Sequence, residues 1–172
     1  TNVISFNTST TTNFRGIGFV SCENIKLAED RAELDLMSFN IRTDADSGVK
    51  SWSQRKAALI ASVIARNPSV VCFQEVKKNQ YNDLAAGLTD YTVVWYARQG
   101  GDNPEGLAIA YKTADWNEIS KQRFWLSETP DKPSKGWDAV CLRVATYVKL
   151  TDKETGKSYV HFNTHLDHIG VQ

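Results

Sequence analysis

The sequence predicts an α/β layered architecture, and three observations carry that prediction. Two stretches with apolar residues at helical spacing alternate with short apolar runs rich in β-branched residues. The second half reads mostly as strands, and the polar residues that stand out fall at predicted strand ends. The composition suits one packed core: 172 residues, 41% hydrophobic and 23% charged. No apolar run approaches the roughly 20 residues needed to span a bilayer, and no basic segment followed by an apolar stretch opens the chain.

Residues 1–13 are rich in Thr, Ser and Asn and read as a lead-in. Phe14 to Val20, with Gly16 and Gly18, suggests a short strand, so residues 1–30 are set apart as a lead-in or the tail of a preceding module. The domain proper is expected over 31–172. Leu34 to Phe39 alternates as a strand ending at Asn40, followed by a polar loop with Asp44, Asp46, Ser47 and Gly48. Ser51 is placed to cap a helix whose apolar face is Trp52, Leu59, Ile60, Val63 and Ile64. Asn67-Pro68 stops it, because the residue before a proline is pushed out of the helical region. Val70 to Phe73 is a buried strand that delivers Gln74 and Glu75 at its end. A second helix is predicted over Gln80 to Leu88. Strands follow at Thr92–Tyr96, Leu107–Tyr111, Val140–Leu150 and Tyr159–Asn163, the last two joined by a turn over Asp152–Lys157.

Charge narrows the function. Lys plus Arg and Asp plus Glu are each 20, a net charge of zero, whereas tight binding of long nucleic acid through its phosphates usually brings a basic excess. A small or single-stranded substrate is therefore favoured over duplex DNA. Cys22, Cys72 and Cys141 form neither a disulfide framework nor a zinc spacing and read as buried or incidental thiols. Asn7-Thr8-Ser9 is a glycosylation sequon that matters only in a secreted eukaryotic protein. The compartment stays open, with a secreted or periplasmic setting favoured over the cytoplasm.

The chemistry is expected where Asn40, Glu75 and His165 meet strand ends, the place where sites form on α/β sheets. A strand-end carboxylate suits a hard divalent cation, which takes oxygen donors and keeps several waters. An Asn amide beside it can hold a phosphate oxygen, and a His can hydrogen-bond a non-bridging oxygen or move a proton. Alone, such a Glu is as consistent with solvated surface, and such a His with structure.

Taken in order, five blocks fit a known pattern: Ser38-Phe39-Asn40-Ile41-Arg42, Phe73-Gln74-Glu75-Val76, Glu105-Gly106-Leu107-Ala108-Ile109-Ala110-Tyr111-Lys112, Leu142-Arg143-Val144, and Asn163-Thr164-His165-Leu166. Over about residues 34–172 they resemble the endonuclease/exonuclease/phosphatase (deoxyribonuclease I-like) superfamily. The resemblance implies part of a four-layer α/β sandwich, two mainly antiparallel sheets flanked by helices. It also implies hydrolysis of a phosphodiester or phosphomonoester by in-line attack of water, assisted by Mg2+ or Mn2+. Glu75 matches the metal-binding glutamate, and Asn40 the asparagine that supports metal and phosphate. His165 matches the active-site histidine, Glu105 the acid that orients it, and Arg143 the phosphate-contacting arginine. Asn163, in the same block as His165, is assigned to substrate binding.

Phe124 to Pro130 and Gly136-Trp137-Asp138 resemble loops of a bacterial-type branch, whose tryptophans would stack on a base or sugar or plug the core. The superfamily's later G-D-x-N motif and final Asp-His pair find no match: Gly101-Asp102-Asn103 precedes the histidine block, and Asp167-His168 lies too near His165. A C-terminal portion, as further residues or a second chain, is therefore expected to complete the site. The 172-residue chain alone is expected to lack metal-dependent turnover. The sequence also admits two other readings. Asn163-Thr164-His165-Leu166-Asp167-His168-Ile169-Gly170 resembles the zinc motif of metallo-β-lactamase-fold hydrolases, with Asn163 replacing its first His. The other is a catalytically silent interaction domain of the same fold.

Overall fold

Eight strands sort into two sheets in a computed structural model of the protein, which describes residues 20–21 and 34–169. The first sheet has the order β1-β2-β3-β5-β4, from β1 (Val20–Ser21), β2 (Leu36–Asn40), β3 (Val70–Lys77), β4 (Tyr91–Ala97) and β5 (Glu105–Lys112). The second has the order β6-β7-β8, from β6 (Trp116–Trp125), β7 (Val144–Asp152) and β8 (Ser158–Thr164). Among the described strands only β2 and β3 pair in parallel, because helix α1 (Trp52–Arg66) crosses between them. Every other pairing is antiparallel.

The strand period of two explains the layers. On β3, Val71 and Phe73 join the cluster that packs under α1 and α2 (Lys78–Gly87), with Trp52, Leu59, Val63 and Leu84. Val70 faces the other way, into the cluster with Trp116, Val148 and Leu150 of the second sheet. On β5, Ala108 and Ala110 face the helices while Ile109 and Tyr111 face the second sheet. Both strands therefore carry an unbroken apolar run, Val70–Phe73 and Leu107–Tyr111, as strands buried on two faces must. Helices, first sheet and second sheet make this part of the four-layer α/β sandwich. No helix among the described residues is long and apolar enough to cross a membrane.

Several predicted boundaries shift for local reasons. Helix α1 starts after Ser51, whose carbonyl accepts from the Gln54 and Arg55 amides while its hydroxyl makes no capping bond. Asn67 ends it in the left-handed conformation, φ 53°. Ile64, expected on the apolar face, is 54% exposed, since it lies off the stripe of Trp52, Leu59 and Val63. Helix α2 begins at Lys78, two residues early, where Gln80 Oε1 accepts the Lys77 amide at 3.0 Å. The strand predicted from Val140 starts at Val144.

β6 escaped prediction although it is the longest of the described strands. Its ends, Trp116 and Trp125, are buried, but Asn117 to Gln122 are exposed and, apart from Ile119, polar. It lies at the edge of its sheet, where the backbone ladder to β7 needs no apolar face and charged side chains discourage further pairing. The lead-in, the sequon at Asn7 and Cys22 lie outside the described residues, as does all but Val20 of the strand predicted there. Cys72 and Cys141 are free thiols, and burial pushes Cys72 up to about 12, which makes it inert.

His161 on β8 is buried between the sheets, edge-on to Trp116 at 5.9 Å, and its Nε2 has no hydrogen-bond partner among the described residues. Burial lowers its pKa to about 4 from 6.5. The folded state thus prefers the neutral ring, and the unfolded chain takes up a proton first. The stability this confers is full above pH 6.5 and lost as pH falls towards about 4. A loss of about 3 kcal/mol over that window is expected, and His161→Phe should flatten it in urea titrations between pH 7 and 4. An unchanged slope in the variant would refute it.

Candidate active site

The site grows out of an extra residue in β3. Phe73 pairs with Ala108 and Val76 with Gly106, so Gln74 and Glu75 together oppose one residue of β5. Phe73 and Val76 both stay in the core under the helices. Glu75 absorbs the mismatch with a left-handed backbone, φ 61°, uncommon for a residue with a side chain. Gly106, opposite Val76, lets β4 come close on the other side: a Cβ there would meet the Tyr96 carbonyl oxygen at 2.1 Å.

The bulge aims the Glu75 carboxylate at the end of β2. Asn40 Nδ2 donates to Glu75 Oε1 at 3.0 Å, and the Thr43 amide donates to Oε2 at 3.1 Å. Asn40 Oδ1 in turn accepts from the Arg42 amide at 2.9 Å. Each carboxylate oxygen is fixed by one donor and keeps a second lone-pair direction. The loop after β2 is held by Asp44, which pairs with Lys77 Nζ at 2.9 Å and accepts from Asn79 Nδ2 at 2.6 Å.

Beneath this group, one residue joins the two sheets. Asn163 on β8 is 3% exposed, donating to the carbonyls of Phe73 at 2.8 Å and Ala108 at 2.9 Å, and accepting from Gln74 Nε2 at 2.8 Å. Its amide hydrogens are both spent inside the protein, so the expected substrate contact gives way to a positioning role.

β8 then delivers His165 one residue past its end. His165 lines a shallow depression with Arg98, Glu105, Leu142 and Arg143. Arg143 is 6% exposed; its Nη1 lies 3.4 Å from His165 Nδ1, its Nη2 3.4 Å from His168 Nδ1, and its Nε 3.4 Å from Asp167 Oδ2. Burial, and then the Arg143 charge, lower the pKa of His165 and favour its neutral ring. Glu105 pairs with Arg98 Nη1 at 3.0 Å rather than with the histidine. Burial raises its pKa, against the opposing pull of Arg98.

Asn40 and Glu75 therefore touch, as do Arg143 and His165, while Glu105 stands among them with its carboxylate engaged elsewhere. Arg98, Asp167 and the Thr43 amide went unanticipated. Arg98 lies just past a strand end, as His165 does, and Asp167 stands out in the sequence only within the zinc-like motif and as a mismatched terminal Asp-His pair. That motif does not assemble: His165 and His168 both turn Nδ1 towards a guanidinium. No group of three or more His, Cys, Asp or Glu gathers for a metal among the described residues. One carboxylate with an amide beside it instead fits a hard cation that keeps most of its waters. Of the loop tryptophans, Trp125 is buried and donates to the Arg98 carbonyl at 2.9 Å, whereas Trp137 is 70% exposed.

Residues 37–114 match the sequence model of the Endonuclease/Exonuclease/phosphatase family. An uncharacterized protein of Acanthamoeba polyphaga mimivirus is 31% identical over 127 residues, covering 69% of this chain and 47% of that protein. The endonuclease/exonuclease/phosphatase from Bacteroides vulgatus superposes with a TM-score of 0.75 at 37% identity, over 78% of this chain and 53% of its own. The mannosyl-6-phosphatase of Bacteroides thetaiotaomicron gives 0.74 at 36% identity, over 80% and 53%. The chain thus spans about half the length of these relatives, 47% to 53%.

Proposed function

The chain belongs to the endonuclease/exonuclease/phosphatase family and forms part of its fold, and on that premise we propose that the whole protein hydrolyses a phosphoester with the help of Mg2+ or Mn2+. The observation that carries this is the Glu75 carboxylate, aimed by a bulge and fixed by Asn40 and the Thr43 amide. Glu75 and Asn40 would hold the ion, which supplies positive charge to the phosphoryl oxygens. Arg143 binds the phosphoryl group as a fixed cation, and neutral His165 donates a hydrogen bond to a non-bridging oxygen as charge develops there. Asn40 also orients Glu75, and Glu105 sets the charge of the depression through Arg98. Water attacks in line with the leaving oxygen.

Net neutrality and the likeness to a mannosyl-6-phosphatase support a small phosphorylated sugar as the first substrate class to test. Phosphate release by the whole protein should be followed from sugar phosphates, RNA, single- and double-stranded DNA and sphingomyelin, with Mg2+ and with chelator. Release that needs the metal is expected. Turnover that survives complete chelation, or no release from any ester, would reject the proposal. His165→Ala should lower kcat/KM about 100- to 1,000-fold, the cost of one oxyanion donor. Near-normal turnover would remove His165 from its role.

A further inference from the structure

We infer that Asp167 is a positioning residue of this site, holding Arg143 so that Arg143 fixes His165 as the Nε2–H tautomer. The inference rests on the phosphoesterase reading for its catalytic meaning, and on geometry alone for the tautomer.

A guanidinium carries only donors. Its 3.4 Å approach to His165 Nδ1 is attractive only if that nitrogen offers a lone pair. The proton of the neutral ring must then sit on Nε2. A protonated ring would set donor against donor. Half-burial of His165 and the neighbouring Arg143 charge both disfavour that form. His168 Nδ1 lies 3.4 Å from the other terminal nitrogen of Arg143 and 4.0 Å from Asp167 Oδ1.

Arg143 itself needs a reason to stay. Its side chain is 7% exposed, and a buried guanidinium requires a counter-charge. Asp167 provides it from a side chain 9% exposed, with Oδ2 at 3.4 Å from Arg143 Nε. Asp167 is anchored in turn: Oδ2 accepts from the Cys141 amide at 3.1 Å and Oδ1 from the Ile169 amide at 3.0 Å. One carboxylate thereby ties the segment entering β7 to the segment leaving β8. Glu105, which the resemblance makes the orienting acid, is held by Arg98 at 3.0 Å. Orientation of His165 thus passes through Arg143 and Asp167. Its Nε2–H is left as the donor for a phosphoryl oxygen, with no proton to be moved.

The chain has three histidines, so ring nitrogen-15 NMR resolves and assigns them by single substitution. Wild-type His165 should show Nδ1 bare and Nε2 protonated at neutral pH. Asp167→Asn, and independently Arg143→Lys, should give a mixture of tautomers. In the whole protein, Asp167→Asn should lower kcat/KM about 10- to 100-fold, the usual cost of losing an outer orienting partner. Asp167→Glu should recover part of it. A His165 ring protonated on Nδ1 in the wild type overturns the inference, as does a single Nε2–H tautomer in both variants. If the wild type cleaves no phosphoester, the functional reading fails while the NMR still decides the tautomer. If either variant unfolds, the other supplies the comparison.

Discussion

Glu75→Gln is expected to remove metal-dependent turnover almost completely, lowering kcat by at least about a thousandfold. The substitution keeps the size of the side chain and the backbone of the bulge. The carboxylate now accepts from Asn40 Nδ2 through one oxygen and from the Thr43 amide through the other. A carboxamide has one acceptor atom, so its NH2 group would face one of those donors. It also brings no negative charge to a hard cation. Stability should change little, which separates this outcome from unfolding. Mg2+ and Mn2+ affinity by calorimetry should fall together with the rate. A variant that turns over within tenfold of the wild type would dismiss Glu75 as the metal ligand.

Asn163→Ala should have the largest effect on stability, about 3–5 kcal/mol. Truncation strands the Phe73 and Ala108 carbonyls and takes from the Gln74 amide one of its three acceptors, the others being Ser38 Oγ and the Cys72 carbonyl. Each stranded group costs about 1–3 kcal/mol. Asn163→Asp should also be severe, since it removes both donors and adds a buried charge. The site should suffer besides, because Gln74 precedes Glu75 in the bulge and His165 lies two residues past Asn163. Urea unfolding of the purified chain measures this directly. A loss below about 1 kcal/mol would show that water or local rearrangement replaces the amide.

Much of this was legible because burial writes itself into composition. Val70 to Phe73 and Leu107 to Tyr111 announce strands covered on both faces, and Trp52, Leu59 and Val63 announce one helix stripe. The polar edge strand β6 was invisible for the converse reason. Its place is set by hydrogen bonds to β7, which leave no pattern in side chains. The residues of the site were findable as polar types at strand ends, and the resemblance named Asn40, Glu75, Glu105, Arg143 and His165.

Their partnerships were not findable, since each depends on contacts between residues far apart in the chain. The β3 bulge turns Glu75 towards Asn40, 35 residues away, although an unbroken strand would fit the same apolar run. Asn163 spends its amide across 90 residues on Phe73, which no local signal announces. Glu105 and Arg143 were legible only through the resemblance, yet which charge meets which was decided by packing. Arg98 reaches Glu105, and Asp167 reaches Arg143 from a segment that follows the last strand. By itself the sequence determined which residue types bury and which must stay polar, because that follows from solvation one residue at a time. Only the tertiary structure decided which polar groups satisfy one another, because a hydrogen bond or ion pair is fixed by distance and angle between elements.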